Sequence, residues 1–467
     1  MSAVVMQPIR ARRFHGGWHR GRRLLVALTL SQGTLCVHAE SLVGLAGDAL
    51  AHDASFAGAE AAYRAGLEKE PEARAALLPH LALSQSSFKN SIHVPGVPAA
   101  PYSTLGATVS LNQSLFKWDD WEAWQESRLS VADTGLAFAS ARQDILLKVA
   151  QAYLDALAAH DAFDLAQEHQ RAVGEQLALA RHSFALGAAT VVDVDEAQAA
   201  VDAARSDLVQ AQGTLARRYA ALQKMVGHPV DRVDPVDMKT VFPLVQPGPL
   251  EQRVSDAQTS GYAVKRQQIA LEIARREVSR VNAGYLPTVS LIGSVSHGNS
   301  AFISGQTNFY TGANRATSGE IGVQISIPLF DGFSTSSAKR EAIALRDKAE
   351  DDLEDARRSA ALDAEDAFLG VRDGLAQTLA LQTAKQSAET SLRSNQKGFR
   401  VGVRINADVL NAEDKLFSAR RDLDKARYDT LGQFLHLKAS AAQLDEQTLA
   451  TLFAGDVAKP DPLNEKK

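Results

Sequence analysis

Cysteine is nearly missing from this chain: of 467 residues only Cys36 carries a thiol, close to the N-terminus. Disulfide and thiol chemistry are therefore not expected to shape the fold. Past the N-terminal segment there is no window of about twenty uninterrupted apolar residues, so no transmembrane helix is expected in the mature chain. Any membrane crossing would need strands. Aromatic residues make up only 6% of the chain, while alanine is abundant and long stretches lack proline. Such a composition favours long helices packed closely through small side chains.

The first 39 residues lack acidic side chains and hold arginines at 10, 12, 13, 20, 22 and 23, followed by the apolar segment Leu24 to Leu30. With Val37-His38-Ala39 as a small-x-small cleavage site, residues 1–39 read as a Sec-type signal peptide. Cys36 falls inside it, and Leu35 is too large for a lipoprotein signal, so the mature protein is expected to be cysteine-free and unacylated. Removing the six arginines shifts the formal charge from -5 to -11, and an acidic protein of this kind gives no sign of nucleic-acid binding. The twelve histidines show no metal-ligand spacing, no Gly-rich phosphate loop follows a strand, and no nucleophile elbow occurs. Neither an enzyme nor a bound cofactor or metal is expected.

What the chain does have is a duplication. Residues 184–216 and 399–431 share one pattern at an offset of 215, pairing Gly187 with Gly402 and Asp193 with Asp408. Leu78-Pro79 and Leu286-Pro287, each followed by an alternating run, repeat at an offset of 208. A period near two hundred residues is too long for a solenoid and points to one duplicated unit. The first repeat spans 40–226 and the second 250–444, joined by a Pro-rich linker at 227–249.

Within the first repeat, residues 41–75 have helical spacing, and strands at about 80–88 and 107–115 form a hairpin within 80–115. Residues 91–104, with Pro95, Pro98 and Pro101, read as loop. The second repeat begins with a helix and has strands near 288–297 and 321–329, a hairpin over 288–329, with loop from Gly298 to Gly319. Four strands in two hairpins cannot close a barrel alone.

Each hairpin is followed by a long helix, 122–184 or 335–400, reaching about 90 to 100 Å at the α-helical rise. Each turns at a glycine and returns, giving helical hairpins over 122–226 and 335–442. On the return, Val194, Ala197, Val201, Ala204, Leu208, Ala211 and Leu215 step 3,4,3,4,3,4, as do Val409, Ala412, Leu416, Ala419, Leu423, Ala426 and Thr430. Strict heptads imply left-handed coiled-coil packing. From Leu345 to Leu375 the steps shift to an eleven-residue rhythm, which lets helices lie nearly straight. Residues 445–467 lose periodicity and read as a disordered tail.

Five segments in this order resemble the TolC family of outer-membrane channel-tunnels: Leu77-Leu78-Pro79, Leu111 to Phe116, Tyr285 to Val289, Ile325 to Gly332, and Gly402 to Ala412. The resemblance implies a mainly α protein with a membrane β-barrel portion. In it a homotrimer closes one barrel of twelve strands, four per chain, continued by an α-helical barrel with coiled-coil tips. It further implies contact with outer-membrane lipid, a periplasmic adaptor (membrane-fusion) protein, and an inner-membrane transporter, the ABC type being favoured. The unacylated N-terminus is similar to the branch that holds TolC itself and dedicated toxin-secretion members, such as the channel for adenylate cyclase toxin. Type I secretion of a protein is thus favoured over small-molecule efflux. A periplasmic coiled-coil scaffold would explain the heptads but not the strand hairpins.

The resemblance also places a periplasmic gate at the helix tips. Arg404 and Asp408 match the family's arginine and first aspartate, and Asp193 matches the acidic partner in the first repeat. Phe399 stands where the family's type member has a tyrosine, and Asn411 where it has a second aspartate. Three Asp408 side chains around a threefold axis would form a ring that attracts cations. The local alternative is that Asp193 closes a capping box begun by Thr190 and that Asp408 neutralises a helix N-terminus. An arginine at a helix start opposes the macrodipole unless a carboxylate partners it, so Arg404 is expected to pair with Asp193 and hold the tip shut. Trp118, Trp121 and Trp124 sit just past the first hairpin, where they can form an aromatic girdle at the membrane boundary or lie buried between helices.

Overall fold

A computed structural model describes residues 40–94, 97–299 and 315–453. The proposed signal peptide, Pro95, the middle of the second strand loop and the last fourteen positions, 454–467, lie outside the described residues. The elements run in the order α1 (Leu42–His52), α2 (Ala54–Leu67), α3 (Lys69–Ala75), β1 (His80–Val94), β2 (Val97–Phe116), α4 (Trp118–Ala185) and α5 (Val191–Val226). There follow α6 (Met238–Val241), α7 (Leu250–Ser260), α8 (Tyr262–Asn282), β3 (Thr288–Asn299), β4 (Arg315–Ser326), α9 (Ser334–Arg400), α10 (Asn406–Ser440) and α11 (Glu446–Phe453). Among the described residues no helix is long and apolar enough to cross a membrane.

The N-terminal helix expected over 41–75 is three helices. Asp53 takes an extended conformation, and its Oδ1 accepts from the Ser55 and Phe56 amides at 2.9 Å, so it starts a new helix rather than continuing the old one. Pro71 has no N–H for the Leu67 carbonyl, which separates α2 from α3.

The four strands form one antiparallel sheet in the order β1-β2-β3-β4. β1 and β2 run longer than their alternation suggests: Ser91 pairs with Pro101, Ile92 with Ala100 and Val94 with Val97, inside the expected loop. The prolines are tolerated there because β2 pairs with β3 only from Gly106 onward, leaving its outer part with a single neighbour. The strands part at Gly106 and Gly298, where a Cβ on Gly298 would lie 2.5 Å from the Leu105 carbonyl and 2.6 Å from the Gly106 Cα. Only glycine allows that approach. The last strand ends at Ser326, three residues short of the expected 329.

Register sorts the faces. Leu81 lies opposite Leu111, Leu83 opposite Val109, Val109 opposite Val295, Leu291 opposite Val323 and Val289 opposite Ile325, so these apolar side chains share one face. Ser84, Ser110, Asn112, Ser294, Ser296 and Glu320 occupy the other. The apolar face is bare: Leu83 and Ile321 are each 75% exposed. Both outer strands, β1 and β4, have one partner only, leaving two open edges.

α4 and α9 are 68 and 67 residues long, about 100 Å each at the helical rise. Their tip-ward halves pack on the shorter α5 and α10, while α2 and α3 lie on α4, and α7 and α8 lie on α9. The heptad stripe is the packed one, with Ala197, Ala204, Val409, Ala412, Leu423 and Ala426 buried. In the eleven-residue stripe Leu353, Ala364, Ala367 and Val371 are buried, while Leu345 at its start is exposed. The main core gathers Leu45, Val149, Leu154, Leu222, Leu431 and Leu435 where α1, α4, α5 and α10 meet the inter-repeat linker. That linker is structured, carrying α6 and burying Val230, Val233, Val241 and Val245.

The expectation of disorder from 445 fails at α11. Asp445 caps this helix, its Oδ1 accepting from the Thr448 amide at 2.7 Å, and Leu449 and Leu452 are buried in the main core. Two turns are too short for a periodic signal to show in sequence.

Candidate gate at the helix-hairpin tips

Both long helices end in the same way. Gly187 and Gly402 take left-handed backbone, φ 72° and 76°. The amides of the residues after them, Ala188 and Val403, donate to Ser183 and Gly398 carbonyls at 2.8 and 2.9 Å. Gly187 and Gly402 themselves donate to Phe184 and Phe399 carbonyls at 2.9 and 3.0 Å. These paired bonds are a Schellman motif, which needs an αL residue and so glycine.

The return helices then start differently. At the first tip Asp193 Oδ2 accepts from the Thr190 amide at 2.8 Å and from its hydroxyl at 2.7 Å, and Thr190 Oγ1 accepts from the Asp193 amide at 3.3 Å. This closed capping box holds the Asp193 carboxyl below the usual carboxylate range. At the second tip Ile405 replaces the threonine and offers no hydroxyl. Asp408 Oδ2 accepts a long bond from the Ile405 amide at 3.4 Å and lies 3.6 Å from Arg404 Nη1.

The expected pairing of Arg404 with Asp193 is therefore corrected within one protomer. Asp193 is committed to Thr190, and Arg404 turns to Asp408 one helical turn ahead. Phe399 is half-buried in the last turn of α9, and Asn411 is exposed on α10. Two neighbours escaped sequence reasoning. Gly398 lies under the Arg404 stem, since a Cβ there would come 2.7 Å from Arg404 Cγ. Asn406 is 2% exposed with neither side-chain amide atom hydrogen-bonded within the chain. Comparing the two copies position by position would have flagged this tip, because Ser183, Ala189 and Thr190 become Gly398, Arg404 and Ile405 at the 215-residue offset.

Above the tips, α4 of the first hairpin is fastened to α10 of the second. Tyr428 donates to Asp161 Oδ2 at 2.6 Å, and His169 Nε2 lies 3.0 Å from Asp414 while its ring stacks on Phe417 at 4.4 Å. Beside the His169 link burial pushes the Glu413 carboxyl up to about 7, with Asp414 and Glu175 adding to the shift. At the opposite end of α4, Trp118 and Trp121 are exposed, while Trp124 is half-buried, edge-on to Trp121 at 5.0 Å. Arg280 on α8 ties Glu277 to Asp119 there, bonding Asp119 at 3.1 Å.

A sheet with one bare apolar face and two open edges, continued by paired helices about 100 Å long, is one subunit of a composite membrane channel. Residues 45–228 and 254–443 match the family model described as outer membrane efflux protein, one stretch in each repeat. The chain belongs to that family.

The outer membrane protein TolC of Vibrio cholerae serotype O1 is 27% identical over 433 residues, spanning 92% of this chain and 97% of that protein. The alkaline protease secretion protein AprF of Pseudomonas aeruginosa is 30% identical over 428 residues, 89% of this chain and 87% of its own. Among solved structures, the transmembrane channel protein CusC superposes with a TM-score of 0.75 at 19% identity, covering 86% of this chain and 91% of that one. This protein is accordingly an outer-membrane channel whose helical tunnel extends into the periplasm. Channels of the family are homotrimers that work with an adaptor and an inner-membrane transporter.

Proposed function

We propose that this channel is the exit duct for type I secretion of a protein, recruited by an ABC-type transporter, with small-molecule efflux as the alternative reading. The bare apolar sheet face carries the membrane half of the reading: it turns to lipid and leaves the serine-rich face to line a wet lumen. AprF, named for secretion of alkaline protease, supports protein as cargo. The efflux reading draws on the family description itself. Deleting the gene and assaying both secreted protein and drug sensitivity separates them. Loss of secretion with resistance kept is the expected result, and loss of resistance with secretion intact reverses the order. No enzymatic step belongs to this role.

The tips serve as the gate. Arg404, Asp408 and Asn411 of the second tip face the axis, Phe399 backs them, and Asp193 holds the first tip in shape. With Arg404 beside it at 3.6 Å, each Asp408 is locally neutralised. The exposed pair contributes at most about 1 kcal/mol to stability, so its effect is on passing charge rather than on the fold. Trp118 and Trp121 mark the lipid boundary. Residues 1–39 act as the export signal, cut after Ala39.

A further inference from the structure

Away from the tips, three side chains converge where the start of the described chain meets the inter-repeat linker. Glu40 pairs in parallel with Val233: its amide donates to the Arg232 carbonyl, and the Asp234 amide donates to the Glu40 carbonyl, both at 3.0 Å. Asp48 comes from α1. His228 follows Gly227, the left-handed residue, φ 81°, that ends α5. A Cβ on Gly227 would sit 3.0 Å from the Cβ of His52 in the last turn of α1, so glycine is what lets His228 reach that helix.

The arrangement has the chemistry of a metal centre. One donor atom from each of Glu40, Asp48 and His228 lies within 4.8 Å of the other two. His228 Nδ1 is 3.1 Å from the Pro229 carbonyl, which can only accept, so Nδ1 carries a proton and the ring is oriented. A backbone carbonyl on the far nitrogen is the usual support of a metal-ligating histidine. Nε2 then faces Asp48 Oδ2 at 3.3 Å, and two acceptors meet at that distance only through a proton or a cation. Two donors bound tetrahedrally at zinc bond lengths stand about 3.3 Å apart. Glu40 Oε2 is a buried oxygen with no hydrogen-bond partner within the chain, and Asp231 adds a third negative charge felt by Glu40.

We propose that Glu40, Asp48 and His228 bind a divalent transition-metal ion of the zinc class, clipping α1 and the residues just before it to the inter-repeat linker. One imidazole with two carboxylates suits such an ion better than the all-oxygen cations magnesium and calcium. Binding replaces the proton between Nε2 and Asp48 and releases it to solvent. Sequence spacing hid the site because Asp48 and His228 are 180 residues apart.

The test uses the mature protein in detergent, stripped with chelator, with zinc chloride titrated calorimetrically and thermal unfolding followed in parallel. His228→Ala and Asp48→Asn are compared at equal helicity by circular dichroism. The expected result is one zinc ion per chain and a raised unfolding temperature. Affinity should fall about tenfold or more in each variant, and magnesium chloride should have no effect. No zinc uptake by the wild type, unchanged affinity in His228→Ala, or an equal response to magnesium each overturns the site.

Discussion

At the second tip three residues change together relative to the first, and they make physical sense only as a set. Losing a hydroxyl at Ile405 frees part of Asp408, gaining Arg404 supplies a counter-charge, and Gly398 leaves room for the arginine stem. Arg404→Ala should therefore raise single-channel conductance and cation selectivity, by uncovering one carboxylate per chain; an unchanged trace contradicts the gate role. Gly398→Ala should shift conductance in the same direction, because its Cβ displaces Arg404 Cγ from 2.7 Å. Thr190→Ala should instead lower stability by about 1 kcal/mol in thermal unfolding and leave conductance alone, since its box only caps a helix. The matching glycines and aspartates of the two tips were visible in the chain. Which carboxylate Arg404 would choose was not, because that choice turned on one hydroxyl three residues away from Asp193.

Among elements, specific polar links join α4 to α10 across the two repeats. Tyr428→Phe removes the donor from Asp161, whose carboxyl is raised by burial and held back by that bond. A loss of about 1 to 3 kcal/mol is expected in thermal unfolding, the range for leaving a buried polar group unpaired. Glu413 gives a pH signature. Its folded value of about 7 lies above its ordinary 4.5, so the folded state holds a proton that the unfolded state releases. Stability is thus greatest below the ordinary value and falls as pH rises through the folded one. Glu413→Gln should raise the unfolding temperature at about pH 8 and make no difference at about pH 4, where both states carry the proton. A constant gap at both pH values contradicts the assignment. Helix lengths and heptads were legible because long periodic signals accumulate over many turns. The split at Asp53, the strand pairing through Pro101 and the short α11 were hidden, since each depends on a cap or a neighbour contributed by the rest of the fold.

For the whole molecule, the governing fact is a sheet that is incomplete alone, with bare apolar side chains on one face and an open edge on each outer strand. Leu83→Arg, on the apolar face, should cut the yield of membrane-assembled protein, a charge near the bilayer midplane costing about 2 to 4 kcal/mol. Ser84→Arg, its neighbour on the polar face, should assemble normally; equal loss in both would refute the assignment of faces. The duplication and the four strands were readable from the chain, and with them the need for further copies. The mass of the mature protein extracted from outer membranes in mild detergent, measured by native mass spectrometry, tests that need most directly. Three chains per particle is the result expected of a barrel closed by β1 of one subunit on β4 of the next, and a single chain, stable in buffer once the detergent is removed, contradicts it.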